Sequence, residues 1–214
     1  MNVLIIGAGG REHTIGWKLK KSPKLSQLYF APGNAGTCSI GTNLEVGVND
    51  FSLLKEKVLE LNIEMVVVGP EDPLVNGIHD FFLSDEKLKD IPVIGPQKNG
   101  AELEGSKEFS KEFMKRSGVP TAAYAAFTSD TYSEGCDFLD TLKAPYVLKA
   151  DGLAGGKGVL ILDDLNHAKS ELKEMLMNEK FGAASSKVVI EEFMHGIELS
   201  VFVLTDGKDY VILP

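Results

Sequence analysis

Residues Val147–Leu162 read VLKADGLAGGKGVLIL, which is two apolar runs joined by a glycine-rich turn. Lys149 lies at the end of the first run, and Lys157 lies within the turn. The pattern predicts two strands joined by a flexible flap, because glycines let backbone N–H groups approach a ligand closely. With its two lysines such a flap suits a polyphosphate; the alternative is a plain hairpin with a flexible tip. The turn glycines are Gly152, Gly155, Gly156 and Gly158.

The flap does not match a P-loop. A P-loop needs Ser or Thr directly after its Gly-Lys pair, followed by a helix. Here Gly158 follows Lys157, and a strand pattern comes next. A phosphate site at this turn must therefore be built in another way.

Composition limits the classes of function. The 214 residues include 22 basic and 31 acidic side chains, which gives a net charge of −9. Such a chain has no general affinity for nucleic acid or anionic membranes. Cys38 and Cys136 form neither a metal-ligand spacing nor a disulfide framework, which favours a reducing compartment. With no signal-peptide pattern and no apolar run of membrane-spanning length, we expect a cytoplasmic protein without nucleic-acid or membrane partners.

Apolar runs that end in glycine-rich loops alternate with amphipathic segments over the first 100 residues. This alternation predicts an α/β fold with a doubly wound parallel sheet, which binds ligands at the carboxyl ends of its strands. Strands are predicted over Asn2–Ile6, Gln27–Ala31, Leu44–Val46, Met65–Val68 and Pro92–Ile94. Helices are predicted over Arg11–Lys21, Phe51–Leu61 with Asp50 as N-cap, and Val75–Leu83.

The remaining residues continue the alternation around the flap. Helices are predicted over Ala101–Ser117, Thr131–Leu142 and Leu165–Met177. Strands are predicted over Ala122–Phe127, Val188–Glu192, Glu198–Leu204 and Tyr210–Leu213, the last two joined by an Asp206-Gly207 turn.

The first strand is followed by GAGGRE, which invites comparison with a dinucleotide-binding turn. Glu12 replaces the third glycine of that motif, and the second strand ends in Ala31–Asn34 without an acid for a ribose. Nicotinamide binding by an oxidoreductase is therefore weakly supported. A phosphate site at the helix start, assisted by Arg11, remains open beside the alternative of a tight packing turn.

Acidic residues follow two other predicted strands. Glu71 and Asp72 lie between prolines and could accept hydrogen bonds from ribose hydroxyls or an amine, although Asp72 could simply cap a helix. Glu191, Glu192 and Glu198 fall in VVIEEFMHGIELSVFVL, where an acid and the backbone at a strand end could bind adenine and ribose. The alternative is that these are solvated surface acids.

Several stretches together resemble the ATP-grasp superfamily and, more closely, the phosphoribosylamine–glycine ligase family of purine synthesis. They run in family order over essentially the whole chain and are VLIIGAGGREH, PGNAG, VVVGPEDPLVNG, IPVIGP, SKEFSKEFMKRSGVPTA, YVLKADGLAGGKGV and VVIEEFMHGIELSVFVLTDG. The resemblance implies a parallel-sheet first domain (1–100) and a helical linker (101–121). It also implies an ATP-grasp lid (122–192) and the start of an incomplete main grasp domain (193–214).

The resemblance also implies a reaction and its ligands. Such enzymes join glycine to 5-phosphoribosylamine through a glycyl phosphate, using ATP and Mg²⁺. The residues expected to bind ATP are Lys107, Lys149, Gly155, Gly156, Lys157, Gly158, Glu191, Glu192, Phe193 and Glu198. The residues expected to bind phosphoribosylamine are Gly9, Gly10, Arg11, Pro32, Gly33, Asn34, Glu71, Asp72 and Pro73.

The family's magnesium ligands and further substrate-binding residues lie beyond the last residue of this chain. We therefore expect an amino-terminal fragment that lacks its own metal site and a complete catalytic set, and that is inactive alone. Its last strand is expected to expose apolar surface and to favour self-association. Another ATP-grasp ligase or carboxylase, and a non-catalytic nucleotide-binding module, remain alternatives.

Overall fold

The computed structural model describes residues 1–213. A parallel five-stranded sheet forms the first part of the chain, in the order β3-β2-β1-β4-β5. Its strands are β1 (Asn2–Gly7), β2 (Gln27–Pro32), β3 (Thr42–Asn43), β4 (Met65–Val68) and β5 (Val93–Ile94). Its helices are α1 (Gly10–Leu19), α2 (Phe51–Glu60), α3 (Glu71–Val75) and α4 (Ile78–Ser84). The predicted doubly wound α/β architecture is confirmed.

The central strand β1 explains why this sheet has helices on both faces. Leu4 and Ile6 belong to one buried cluster, and Val3 and Ile5 belong to another. Residues of α2 and α4 pack in the first cluster, whereas Ile15 and other α1 residues pack in the second. Burying each large aliphatic side chain stabilises the fold by about 1.5–3 kcal/mol, so this short strand anchors the domain.

A second sheet is antiparallel and has the order β6-β9-β7-β8. Its strands are β6 (Tyr124–Thr128), β7 (Tyr146–Ala150), β8 (Val159–Leu162) and β9 (Lys187–Glu192). Helices α7 (Tyr132–Thr141) and α8 (Leu165–Met177) share a buried cluster with this sheet. Strands β7 and β8 pair directly on either side of the glycine-rich turn, so the two predicted strands joined by this turn are confirmed.

Two predicted helices are each divided into two. The single helix over Val75–Leu83 is wrong, because α3 ends at Val75 and Gly77, with φ of +88°, precedes α4. The single helix over Ala101–Ser117 is also wrong. The chain forms α5 (Lys98–Gly105) and α6 (Lys107–Arg116) instead, since Ser106 is extended and its hydroxyl accepts a hydrogen bond from the Phe109 N–H at 3.1 Å.

Two predicted strands are displaced. The strand placed at Leu44–Val46 is β3 at Thr42–Asn43, because these two residues pair with Tyr29 and Phe30 of β2. The strand placed at Glu198–Leu204 is also wrong: only β10 (Val203–Thr205) forms, and it pairs with β11 (Tyr210–Ile212). Within residues 1–213, no second strand pairs with 198–201.

The β10–β11 hairpin turns at Asp206-Gly207 as predicted, with Gly207 at φ of +89°. Large apolar side chains in this region are strongly exposed, including Ile197 at 91% and Leu199 at 83%. The expected exposed apolar surface is therefore present. Among residues 1–213, no helix combines the length and the apolar character needed to cross a membrane.

Candidate functional site

The loops after β1, β2 and β4 meet at the carboxyl edge of the parallel sheet. These strands are neighbours, and hydrogen bonds join the loops directly: Gly33 N–H donates to Gly7 O at 3.1 Å, and Gly69 N–H donates to Ile6 O at 3.0 Å. The three motifs that sequence analysis selected for substrate binding are thus brought together. The edge is the usual ligand position in such sheets.

Glu12 shapes the first loop and was not assigned a role from the sequence. The residue is 4% exposed, and its Oε2 accepts a hydrogen bond from Gly9 N–H at 2.5 Å. A Cβ added to Gly7 or Gly69 would lie within 2.6 Å of Glu12 side-chain atoms. The glycine spacing and the acid at the third motif position are the signals that could have identified this packing.

Arg11 and Asn34 connect neighbouring loops. Arg11 is largely exposed, and its Nη1 donates to Gly69 O at 3.1 Å. Asn34 Nδ2 donates to Ala8 O at 2.8 Å, while its Oδ1 accepts from the N–H groups of Gly36 and Thr37. Asn34 therefore fixes the loop through both ends of its amide, whereas Arg11 leaves most of its guanidinium available to an anion.

The glycines of this edge present backbone to solvent. Gly9 and Gly10 are exposed, and Gly10 is the first residue of α1. The Gly9 N–H already donates to Glu12, so the Gly10 N–H is the group at this helix start that is suited to phosphate. Pro32 is exposed at the end of β2. Gly33 has φ of +73°, and a Cβ there would lie 2.3 Å from Asn43 Oδ1, so this position requires glycine.

The acids of GPEDP occupy the first turn of α3. Glu71 is half-buried, while Asp72 is exposed and accepts a hydrogen bond from the Asn49 side-chain amide. Pro70, not Asp72, is the N-cap residue, so the capping interpretation of Asp72 is wrong. Pro73 is buried in α3.

A second candidate site is a cavity of about 350 Å³ between α6 and the antiparallel sheet. Lys107 and Lys111 from α6 line it together with Lys149 from β7 and Glu191 from β9. Its size and three cationic side chains suit a nucleotide phosphate chain. The other lining residues are Leu103, Glu104, Ser110, Met114, Val159 and Met194.

A larger cavity, of about 510 Å³, lies along another face of α6 against the edge strand β6. Its charged lining residues are Glu108, Glu112 and Lys115, which sum to a net negative charge. An anion is therefore disfavoured there, and the smaller cationic cavity is the better nucleotide candidate.

Lys107 contacts the flap through backbone atoms. Its Nζ donates to Asp151 O at 3.3 Å and to Gly152 O at 3.2 Å. Burial lowers the pKa of Lys107 from its ordinary value, and the nearby Asp151 carboxylate opposes that shift. Asp151 also accepts hydrogen bonds from Ser106 Oγ and Glu108 N–H, so it fastens the start of α6 to the flap. Lys107 and Lys149 thus line the same cavity, and their contact with ATP phosphates stays a prediction.

Lys111 is the residue of this cavity that sequence analysis missed. It is 6% exposed and lies 2.8 Å from Glu191 Oε2, while Lys149 lies 3.0 Å from Glu191 Oε1. The only signal was its spacing of four residues from Lys107, which places both on one helix face. Glu191 is 4% exposed, so the alternative that it is a solvated surface acid is wrong.

The flap tip lies outside the lining of the cavity. Gly155 and Gly156 have φ of +56° and +77° and are exposed, as is Lys157. Gly158 is buried, and a Cβ there would lie 2.7 Å from Ala154 Cβ. The turn therefore needs its glycines for conformation as well as for any ligand approach.

Three of the residues predicted to bind ATP, from the end of β9 and the segment after it, lie outside the cavity lining. Glu192 is exposed, and its Oε1 accepts from Ala123 N–H at 3.0 Å, which joins β9 to the start of β6. Phe193 follows β9 and packs edge-to-face on His195 at 4.9 Å. Glu198 is exposed on an irregular segment. In residues 1–213, no group of three or more His, Cys, Asp or Glu side chains is arranged to hold a metal ion.

Comparison with known proteins gives matches to both halves of the chain. The family model "Phosphoribosylglycinamide synthetase, N domain" matches residues 1–104, and "Phosphoribosylglycinamide synthetase, ATP-grasp (A) domain" matches residues 105–214. The chain belongs to the phosphoribosylglycinamide synthetase family. The family resemblance seen in the sequence is therefore confirmed, as is the ATP-grasp fold of the second half.

Individual members of the phosphoribosylglycinamide synthetase family support the same assignment. A Vibrio cholerae phosphoribosylamine–glycine ligase is 43% identical over 100% of this chain and 48% of its own length. A bifunctional purine biosynthetic protein of Schizosaccharomyces pombe is 46% identical over 99% of this chain and 27% of its own. The crystal structure of the Thermotoga maritima phosphoribosylamine–glycine ligase superposes on this chain with a TM-score of 0.78 and a sequence identity of 37%. The match covers 100% of this chain and 49% of the Thermotoga chain. The chain thus spans about half the length of the ligases that it matches.

Proposed function

We propose that this chain supplies the phosphoribosylamine site and much of the ATP site of a phosphoribosylamine–glycine ligase. The observation that carries the proposal is the cavity where Lys107, Lys149 and Glu191 meet beside a glycine-rich flap. The edge formed by the loops after β1, β2 and β4 adds a second site suited to a sugar phosphate. Purine synthesis and a cytoplasmic location follow from this assignment.

In the proposed reaction, a carboxylate oxygen of glycine takes the γ-phosphoryl group of ATP, and ADP leaves. The amine of phosphoribosylamine then attacks the acyl carbon, phosphate leaves, and the nitrogen loses a proton. Fixed positive charge lowers the barrier to such a transfer by neutralising developing negative charge. Lys107 and Lys149 would hold the phosphate chain, and Lys157 would approach it from the flap.

The remaining roles follow from position. Glu191 and the backbone near Phe193 would bind adenine, and Glu192 and Glu198 remain predicted contacts of the nucleotide. Arg11 and the N–H group of Gly10 would bind the phosphate of phosphoribosylamine. The rest of that edge would be formed by Gly9, Pro32, Gly33, Asn34, Glu71, Asp72 and Pro73. The Mg²⁺ ligands are proposed to lie in the carboxyl-terminal half found in the longer relatives.

We predict that the 214-residue chain binds ATP but forms no glycinamide ribonucleotide from ATP, glycine and phosphoribosylamine. Isothermal titration calorimetry with and without Mg²⁺ measures the first property, and a coupled assay for ADP release measures the second. Failure to bind ATP would contradict the nucleotide site, and normal turnover would contradict the division of the active site.

Two further assays address the alternative functions. An assay of the protein expressed from its native reading frame, with bicarbonate in place of glycine, distinguishes a carboxylase from a glycine ligase. A titration with NADH tests for an oxidoreductase.

We also infer that the isolated chain self-associates through residues 197–213. Large apolar side chains there are 47–91% exposed, from Leu213 to Ile197, and β10–β11 forms a sheet of only two strands. Exposed apolar surface and strand edges favour association. Sedimentation velocity over a concentration series should show dimers or larger species that dissociate when Val201 and Leu204 are both replaced by Lys. A monomer at every concentration would contradict this inference.

A further inference from the structure

One buried carboxylate at the base of the nucleotide cavity faces two ammonium groups. Lys111 Nζ lies 2.8 Å from Glu191 Oε2, and Lys149 Nζ lies 3.0 Å from Glu191 Oε1. The side chains of Glu191 and Lys111 are 5% and 8% exposed, whereas that of Lys149 is 28% exposed. Two lysines and one carboxylate leave the cluster with a net positive charge.

The two lysines are held differently. Lys111 Nζ also donates to Thr121 Oγ1 at 2.8 Å, and the Tyr124 ring lies 5.6 Å away. Lys149 Nζ, by contrast, has no such second hydrogen-bond partner among residues 1–213, and its side chain is more exposed than that of Lys111. Lys111 is therefore the fixed partner of the carboxylate, and Lys149 is the partner that can move.

We propose that Lys111 is a positioning residue: it is the permanent counter-ion of Glu191 and so allows Lys149 to leave that carboxylate for the phosphates of a nucleotide. The inference rests on the proposed nucleotide site. If Lys149 were the only counter-ion, its move toward phosphate would leave a buried charge unpaired, which is strongly unfavourable. With Lys111 present, Glu191 stays neutralised before and after binding.

The first test compares ATP with adenosine by calorimetry in the wild-type 214-residue chain and in Lys111→Met. The variant keeps Lys149 bound to Glu191, so the Kd for ATP should rise about tenfold while the Kd for adenosine changes less than about twofold. Lys111→Arg should restore most of the ATP affinity. Lys115→Met removes the same charge from an exposed position on α6 and should leave both values near wild type. Equal losses for ATP and adenosine would indicate a structural role and overturn the proposal.

The second test needs no nucleotide. In Lys111→Met, Glu191 has Lys149 as its one counter-ion, so the Lys149 amine should be held against the carboxylate and react more slowly with a reductive methylation reagent. Peptide mass spectrometry measures the labelling of Lys149, and Lys111→Met/Glu191→Gln should restore the rate. Unchanged labelling in Lys111→Met overturns the proposal, even if wild type binds no ATP and the proposed function itself fails.

Discussion

Replacing Gly7 with alanine is expected to lower the free energy of unfolding by about 3 kcal/mol, since two penalties combine. Gly7 has φ of +128°, a conformation that side chains with a Cβ rarely adopt. The new Cβ would also lie 2.6 Å from Glu12 Cγ and 2.9 Å from Glu12 Oε2. Relieving that overlap displaces Glu12 and removes its hydrogen bond to Gly9 N–H. Urea denaturation followed by circular dichroism measures the change.

Gly10→Ala is the matched stability control, three positions away in the same loop. A Cβ at Gly10 meets no atom within 4 Å, and the residue begins α1. Alanine there should change the free energy of unfolding by less than about 1 kcal/mol, with a small gain expected from helix propensity. If Gly7→Ala and Gly10→Ala have equal stability, the packing of Glu12 against Gly7 does not support this loop.

The parallel sheet was predictable because its strands are continuous apolar runs that end in turn chemistry. Met65–Val68 was placed without error, since a run of four apolar residues before Gly-Pro has few other solutions. The division between α3 and α4 was also signalled, by Asn76-Gly77, but the apolar spacing across that pair still allowed one helix. Ser106 is likewise the N-cap of α6, but the residues on both sides of it have helical composition, which favoured one continuous helix.

Contacts between distant segments could not be predicted in the same way. Lys111 reads as a surface lysine, and its burial depends on Glu191, which lies 80 positions further along the chain. Long charged side chains are seldom buried, and pairing across that separation leaves no local pattern. The strand predicted over Glu198–Leu204 was misplaced for a related reason. Its segment has strand composition, but strands form only where a partner lies alongside, and within residues 1–213 none pairs with 198–201.

Lys149→Met is expected to raise the Kd for ATP by about 10- to 100-fold, because a charged hydrogen bond to phosphate is worth about 1.5–3 kcal/mol. The fold should tolerate the change. Methionine retains the apolar part of the lysine side chain at this position of β7. Glu191 keeps Lys111 as its counter-ion at 2.8 Å. Calorimetric titration of the 214-residue chain with ATP gives the affinity, and thermal melting tests the fold.

Lys143→Met provides the matched charge control, because Lys143 is exposed and precedes the opposite end of β7. It should leave the Kd for ATP within about twofold of wild type. Lys157→Met should weaken ATP binding less than Lys149→Met, because Lys157 lies on the exposed flap tip and outside the cavity lining. If neither Lys149→Met nor Lys157→Met alters ATP affinity while Lys143→Met behaves as wild type, the cationic cavity is not a phosphate site. The charges of Lys149 and Lys157 would then contribute only to the stability of the folded chain.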